Sequence, residues 1–487
     1  MMRPIAIATA VVCGAVAVQG QDTTARVRAW RTQHQQQILD ELFGFLAIPN
    51  VADKPDDIQK NVQALTRMFE RRRFAPDTVA TGGSPVVLAE RRAPGLRRTV
   101  TFYFHYDGQP VVASEWVNSP PFTPKVVGDR IYARSASDDK SPIVTLLAAI
   151  DALDAANIPI TSNIRVLMEG EEEAGSPNLE SAMRRHGDRI RGDVLMLVDG
   201  PRHPSDRPTI NFGARGIMNA VLTVYGPKSD LHSGNYGNWA PNPALALARL
   251  LASMKDDNGR ILIDGFYDDV APLTDEEQRA VAEIPDVAPT LMKTYGFARP
   301  ENPSERLELR HNLPTLNINA MEAGGGVGGQ GRTIIPASAS ARLDLRFVKN
   351  VDPSKQFERL VAHIRKQGYV IVDADPDESM RAANARMARV TRVGGYPAGR
   401  TPMDLPIART ITKAIADSAG GKIVRLPTLG GSAPFYLFSD VLKVPTIGLS
   451  LVNFDNNQHG PNENVKIQNV WDGIETMAAI LTMEAEK

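Results

Sequence analysis

Four short apolar runs in this chain end in, or lead closely into, residues that could do chemistry. Thr99 to Phe104 delivers His105-Tyr106-Asp107, and Ile164 to Met168 delivers Glu169-Gly170-Glu171-Glu172-Glu173. Val194 to Val198 delivers Asp199, and Val444 to Leu451 is followed shortly by His459. A fifth element, Asp138-Asp139-Lys140, stands just after Ile131-Tyr132-Ala133-Arg134 and just before a helical stretch. In an open parallel sheet, ligands bind beyond the carboxyl ends of the strands, so these side chains should converge on one cleft. Imidazoles and carboxylates that converge make a metal site. Each has a bland reading when taken singly: paired aspartates cap a helix, a histidine sits satisfied in a core, a glutamate run forms a solvated face. All would have to hold at once. Asp107, two residues after His105, lies on the same side of an extended chain and is placed to orient that imidazole.

The elements that must position these residues follow from hydropathy. The runs are β-branched or aromatic and short, as buried strands are, while Pro142 to Leu153 between two of them is amphipathic and long enough for a helix. This alternation predicts an α/β domain with a mostly parallel sheet flanked by helices. Arg26 to Leu46 has helical spacing of Val27, Trp30, Ile38, Leu42 and Phe45 and stops at Pro49. From 208 to 397 the texture changes. Strand-like segments (Met218 to Val224, Thr315 to Ala320, Ser340 to Val348) alternate with helical ones (Pro243 to Met254, Ser354 to Lys366), the pattern of a smaller inserted α+β domain. The expected organisation is a leader over 1–20, a catalytic domain over 21–207 and 398–487, and a lid or dimerisation domain between. A helix near Leu405 to Ala419 brings the chain back.

Composition narrows the partners. Lys plus Arg (55) and Asp plus Glu (56) nearly cancel, so no global field draws in nucleic acid or anionic membrane. Arg3, an apolar run from Ile5 to Val18 and the polar Gln19-Gly20-Gln21-Asp22 read as a signal peptide cut near Gln21, and the run is short for a membrane anchor. The only cysteine, Cys13, falls inside that leader. The mature chain, expected in a periplasm or secreted and free of the membrane, therefore has neither a disulfide nor a thiol nucleophile. Gly326-Val327-Gly328-Gly329-Gln330-Gly331 mimics a dinucleotide fingerprint, but Ile334-Ile335-Pro336 follows it where a helix would be required, so it reads as a loop.

The stretches His105 to Pro110, Trp116 through Ser119-Pro120-Pro121-Phe122, Tyr132-Ala133-Arg134 with Asp138-Asp139-Lys140, Glu169 through Ser176, Asp230 to Gly234, Gly430-Gly431-Ser432, and His459 with Asn462-Glu463 span nearly the whole mature chain. Together they resemble the dinuclear-zinc metallopeptidase family of carnosine and Xaa dipeptidases, aminoacylases and glutamate carboxypeptidases, most closely its dipeptidase branch. The resemblance implies two divalent ions per subunit, zinc first, with manganese or cobalt accepted by the same ligands. It makes Asp138 the carboxylate that bridges both, His105 and Asp199 the other ligands of one ion, and Glu173 and His459 those of the other. It also implies a cis peptide after Asp138. Three carboxylates leave two dications with one net positive charge, which a bridging hydroxide would neutralise, and such a water ionises near pH 7.

The same resemblance makes Glu172 the general base. It gives His232 an oxyanion-stabilising role in a neighbouring subunit's site, hence a homodimer. Arg346 becomes the grip on the substrate carboxylate, with Thr333 and Ser432 lining the binding site. The sequence departs from the family at Ser135 and Ser141, where glycine is usual. The implied activity is metal-dependent hydrolysis of dipeptides or short peptides. The alternatives are an N-acyl amino acid deacylase of the same chemistry and a non-catalytic exported peptide-binding protein. A serine hydrolase at Ser432 is disfavoured because no Gly-x-Ser-x-Gly elbow surrounds it.

Overall fold

The computed structural model describes residues 22–325 and 332–484. The leader, with Cys13 and the cut near Gln21, and the loop Gly326 to Gly331 lie outside the described residues. The first sheet has eight strands, in the order Ala75–Val79, Val86–Arg91, Asn163–Glu169, Thr99–His105, Val194–Leu197, Thr446–Ser450, Thr209–Asn211, Val424–Leu426. The four central strands, Asn163–Glu169 through Thr446–Ser450, are mutually parallel, while their outer neighbours join antiparallel. Both faces of the centre are dry. Phe102 and Phe104 enter one core and the intervening Tyr103 enters another, as the two-residue repeat of a strand requires. This is why these strands read as unbroken apolar runs.

One face is covered by Lys140–Ala155, a helix buried along almost its whole length, together with Ile467–Leu481 and the N-terminal helices. The expected single helix from Arg26 to Leu46 is two, 22–33 and Gln35–Leu46. The break falls at His34, whose φ of −115° and ψ of 14° leave the helical region. Its ring stacks on Trp30 at 4.2 Å and its Nδ1 lies 2.8 Å from the Trp30 carbonyl oxygen, which stabilises the bend locally. The opposite face of the sheet is covered by Leu179–Ile190 and by residues around Phe435 to Leu442.

The second sheet is built on Gly213–Tyr225, a long strand flanked antiparallel by Ser338–Phe347 and Met387–Tyr396, with Thr315–Ala323 at one edge. Thr209–Asn211 belongs to the first sheet, and Gly213–Tyr225 begins directly after it. Alternate residues Met218, Ala220, Leu222 and Val224 are buried in a separate core with Leu247, Leu250, Leu360 and Ile364 of the helices Pro243–Ala252 and Pro353–Lys366. On the opposite face, Arg346 and Tyr396 flank Ile217, and Tyr396 stands within reach of the charges of Glu172 and Asp199 beyond the carboxyl ends of the first sheet. Among the described residues, no helix is long and apolar enough to cross a membrane.

Candidate metal centre and substrate cleft

The central parallel strands all end at one place. His105 closes its strand and is fully buried. Asp199 follows the end of Val194–Leu197 by two residues. Glu172 and Glu173 occupy a single 3₁₀ turn just past Asn163–Glu169, and His459 lies on the loop after Thr446–Ser450. Asp138 comes from the side, between Arg130–Tyr132 and the helix Lys140–Ala155. Its peptide bond to Asp139 is cis.

Ligand atoms of His105, Asp138 and Asp199 lie within 4.8 Å of one another, and so do those of Asp138, Glu173 and His459. Asp138 is common to both groups. One of its carboxylate oxygens is 2.6 Å from His105 Nε2 and the other is 3.2 Å from His459 Nε2, which is in turn 3.3 Å from Glu173. The two oxygens of Asp138 thus face two separate nitrogen and oxygen sets.

The electrostatics of this cluster are those of crowded anions. Burial, and then the Asp138 charge, push Glu173 up to about 7 and Asp199 up to about 6. Burial raises Glu172 well above the usual carboxylate range, although the charge of His105 opposes it. The hydrogen bond to Asp138 lifts His459 to about 9. Burial alone would hold His105 neutral, yet Asp138 and Asp107 carry it well above its ordinary value. Three carboxylates crowded against one another, with buried His105 and a His459 that is 55% exposed, fit cations far better than they fit one another. The donor set suits two divalent ions.

Asp107, fully buried, pins this arrangement from behind. One carboxylate oxygen accepts the Glu172 amide at 3.1 Å and the other the Glu173 amide at 3.0 Å, while His105 Nδ1 stands 3.4 Å away. A single side chain therefore orients an imidazole on one strand end and the acidic turn on the next. Gln109 adds a hydrogen bond to Glu173 at 2.7 Å, and Gln458 one to Asp138 at 3.2 Å.

Arg346, on the cleft face of the second sheet, donates from Nη1 to Ser432 Oγ at 2.7 Å and from Nε to Asp344 at 2.9 Å. The first bond ties the strand Ser338–Phe347 to Leu429–Ser432, a short strand that itself pairs with Gly213–Tyr225, and the second lies within Ser338–Phe347. His232 and Thr333 lie together elsewhere. Leu231–His232 pairs with Ile334–Ile335, the Ser233 amide donates to the Thr333 carbonyl oxygen, and exposed His232 accepts from the Gly234 amide at 3.1 Å. Among the described residues, the bonds of this loop stay within it.

The sequence profile of Peptidase family M20/M25/M40 matches residues 101–483. The chain belongs to this family. It is 26% identical over 404 residues to a Cys-Gly metallodipeptidase of Candida albicans, covering 82% of this chain and 81% of that protein. It is also 26% identical over 421 residues to the human Beta-Ala-His dipeptidase, covering 84% and 80%. Its fold superposes with a TM-score of 0.78 on the crystal structure of an M20 family metallo-carboxypeptidase from Sulfolobus solfataricus, at 30% identity, over 92% of this chain and 98% of that one.

Within this M20 framework, one of the two departures from glycine has a structural account. Ser135 is buried with φ of 62°, so the left-handed backbone persists in its place, and its hydroxyl accepts a hydrogen bond from Asn50 Nδ2 at 2.9 Å that a glycine would not offer. Ser141 is buried in the first turn of its helix, where its backbone carbonyl oxygen accepts from Thr145 Oγ1 as a glycine's would, and nothing in the structure explains its side chain.

Glu463 was legible only as part of a matching stretch, and its task emerges in three dimensions. Fully buried, it accepts from Arg134 Nη1 and the amides of Ser135, Ser137 and Asp138 at 2.8 to 2.9 Å, and from Ser137 Oγ at 2.7 Å. It holds the loop that presents Asp138 from more than 300 positions away. The acid next to Asn462 was the available signal. Nothing in the sequence pointed to Asn50 or Gln458.

Proposed function

We propose that this chain hydrolyses the amide bond of dipeptides or short peptides with a free C-terminal carboxylate, using two divalent ions, zinc foremost. Asp138 carries the reading: it faces His105 with Asp199 on one side and His459 with Glu173 on the other. When bound, the ions supply Lewis acidity that polarises the scissile carbonyl and acidifies water. Glu172, held by Asp107 through its amide, takes a proton from the attacking water on its carboxylate and passes it to the leaving nitrogen. A carbon–oxygen bond forms, the carbon–nitrogen bond breaks, and an acid and an amine leave. The Arg346 guanidinium, aligned by Asp344 and Ser432, holds the substrate carboxylate as a planar fork suits it.

The working unit in this reading is a homodimer in which His232 and Thr333 complete the partner's site. In one chain their loop is exposed and, among the described residues, bonded to itself. The edge strand Thr315–Ala323 leaves Ile318 44% and Met321 54% exposed, and Trp239 beyond the His232 loop is 79% exposed, apolar side chains that a second copy would cover. A periplasmic or secreted location rests on the leader-like N-terminus.

The names of the relatives favour a dipeptidase over an N-acyl amino acid deacylase or a binding protein. The metallo-carboxypeptidase among the similar structures supports a second reading, removal of C-terminal residues from longer peptides. Zinc-reconstituted protein assayed on dipeptides, tripeptides and N-acyl amino acids separates them. The proposal expects the highest kcat/KM on dipeptides, and preferred cleavage of N-acyl amino acids would overturn it.

A further inference from the structure

Three strands of the second sheet place one residue each in a single row across the cleft. Ile217, on the central strand, pairs with Arg346 on one side and with Tyr396 on the other. Residues directly opposed in antiparallel strands present their side chains on the same face. The residue after Ile217, Met218, is buried in the core under the helices, so the row lies on the other face, the one from which Arg346 reaches Ser432. With strands roughly 4.8 Å apart, the ends of the row stand about 10 Å from each other, a span that takes one amino-acid residue.

The register at Tyr396 is built deliberately. A bulge between Val393 and Tyr396 restores its pairing with Ile217. Gly395 within it has φ of 122°, and a Cβ there would meet the Ile217 carbonyl oxygen at 2.5 Å, so only glycine makes this turn. The Tyr396 ring stacks on Tyr436 at 5.3 Å with the planes 17° apart, and Tyr436 stands four residues past Ser432. Among the described residues the Tyr396 hydroxyl has no hydrogen-bond partner. Burial, and next the nearby charge of Glu172, raise its ionisation above the usual phenol range while Arg346 opposes the shift. The phenol therefore stays neutral in the cleft, within electrostatic reach of both the acid proposed as base and the proposed carboxylate anchor.

We infer that Arg346, Ile217 and Tyr396 form the subsite for the substrate's C-terminal residue, in which Arg346 takes the carboxylate, Ile217 is the floor, and the Tyr396 ring braced by Tyr436 limits side-chain bulk. This assignment rests on the hydrolase reading above and makes Tyr396 a residue that determines specificity. It is tested by kcat/KM of zinc-reconstituted protein on Ala-Gly, Ala-Leu and Ala-Trp. In Tyr396→Ala, the Ala-Trp to Ala-Gly ratio rises by about 10-fold or more, chiefly through KM, as expected for relief of bulk in an apolar pocket. Tyr396→Phe keeps the wild-type ratio. Ile217→Phe, which fills the floor without removing the stacked pair, lowers it. Equal changes for all three dipeptides in both Tyr396→Ala and Ile217→Phe, or an equal ratio shift in Tyr396→Phe, would overturn the subsite. Failure of the wild type to cleave any dipeptide would overturn the hydrolase reading and the subsite with it.

Discussion

His105 is fully buried and His311 half-buried, and their surroundings drive them in opposite directions. His105 meets Asp138 and Asp107, which hold its ionisation well above the ordinary value in spite of burial. His311 lies against Gly430 and beside Arg215, and burial followed by that guanidinium pushes it down to about 4. The same side chain is thus a participant in an anionic cluster at the carboxyl ends of the first sheet and a neutral packing group beside the second sheet. His232 is a third case, exposed and turned back on its own loop. Residue type proposes a role, and the neighbours decide it.

The strongest way to break this contrast is at Glu172. Glu172→Gln keeps the size of the side chain and leaves the backbone bond to Asp107 in place, so both metal ions should remain bound while kcat falls about 10³-fold. Activity near the wild-type level in metal-loaded Glu172→Gln would remove the acid from the mechanism. The next effect concerns the exposed loop. His232→Ala is expected to lower kcat by about 10²-fold or more with metal content unchanged. Mixing His232→Ala with Glu172→Gln subunits should then give activity well above either parent, because each mixed dimer contains one site with both residues. Absence of complementation in exchanged subunits would put His232 in its own chain's site or in none.

The smallest effect separates the histidines by stability. A group with its folded ionisation lowered from about 6.5 to about 4 adds stability above about pH 6.5 that is lost as the pH falls toward 4. Urea midpoints measured at pH 7.5 and 5 should fall more in the wild type than in His311→Gln. An identical fall in both would show that His311 titrates normally.

Much of the centre was readable because buried parallel strands leave a strong trace. A run such as Thr99 to Phe104 buries one short polar side chain, Thr101, whose hydroxyl is satisfied by the Ile190 carbonyl oxygen, and carries no carboxylate, base or imidazole until it ends in His105, so the functional residue marks the boundary of the dry interior. Asp199 and the Glu172-Glu173 turn share that signature. What could not be read depends on contacts between distant segments. Glu463 meets the Asp138 loop across more than 300 residues, and the row of Arg346, Ile217 and Tyr396 requires the register of three strands and a bulge. The break at His34 was hidden because the apolar spacing of Trp30, Ile38, Leu42 and Phe45 continues across it. The loop serine at 135 looked like a departure from a glycine position, and only its φ and its bond from Asn50 explain it.

The most direct test of the shared-carboxylate centre is metal content and dipeptide turnover measured on the same chelator-stripped, zinc-reconstituted protein, in the wild type and in His459→Ala. Two zinc ions per chain with turnover in the wild type, and one per chain without turnover in His459→Ala, is the predicted result. One ion or none in a fully active wild type, or full turnover with the His459 ion lost, would contradict it.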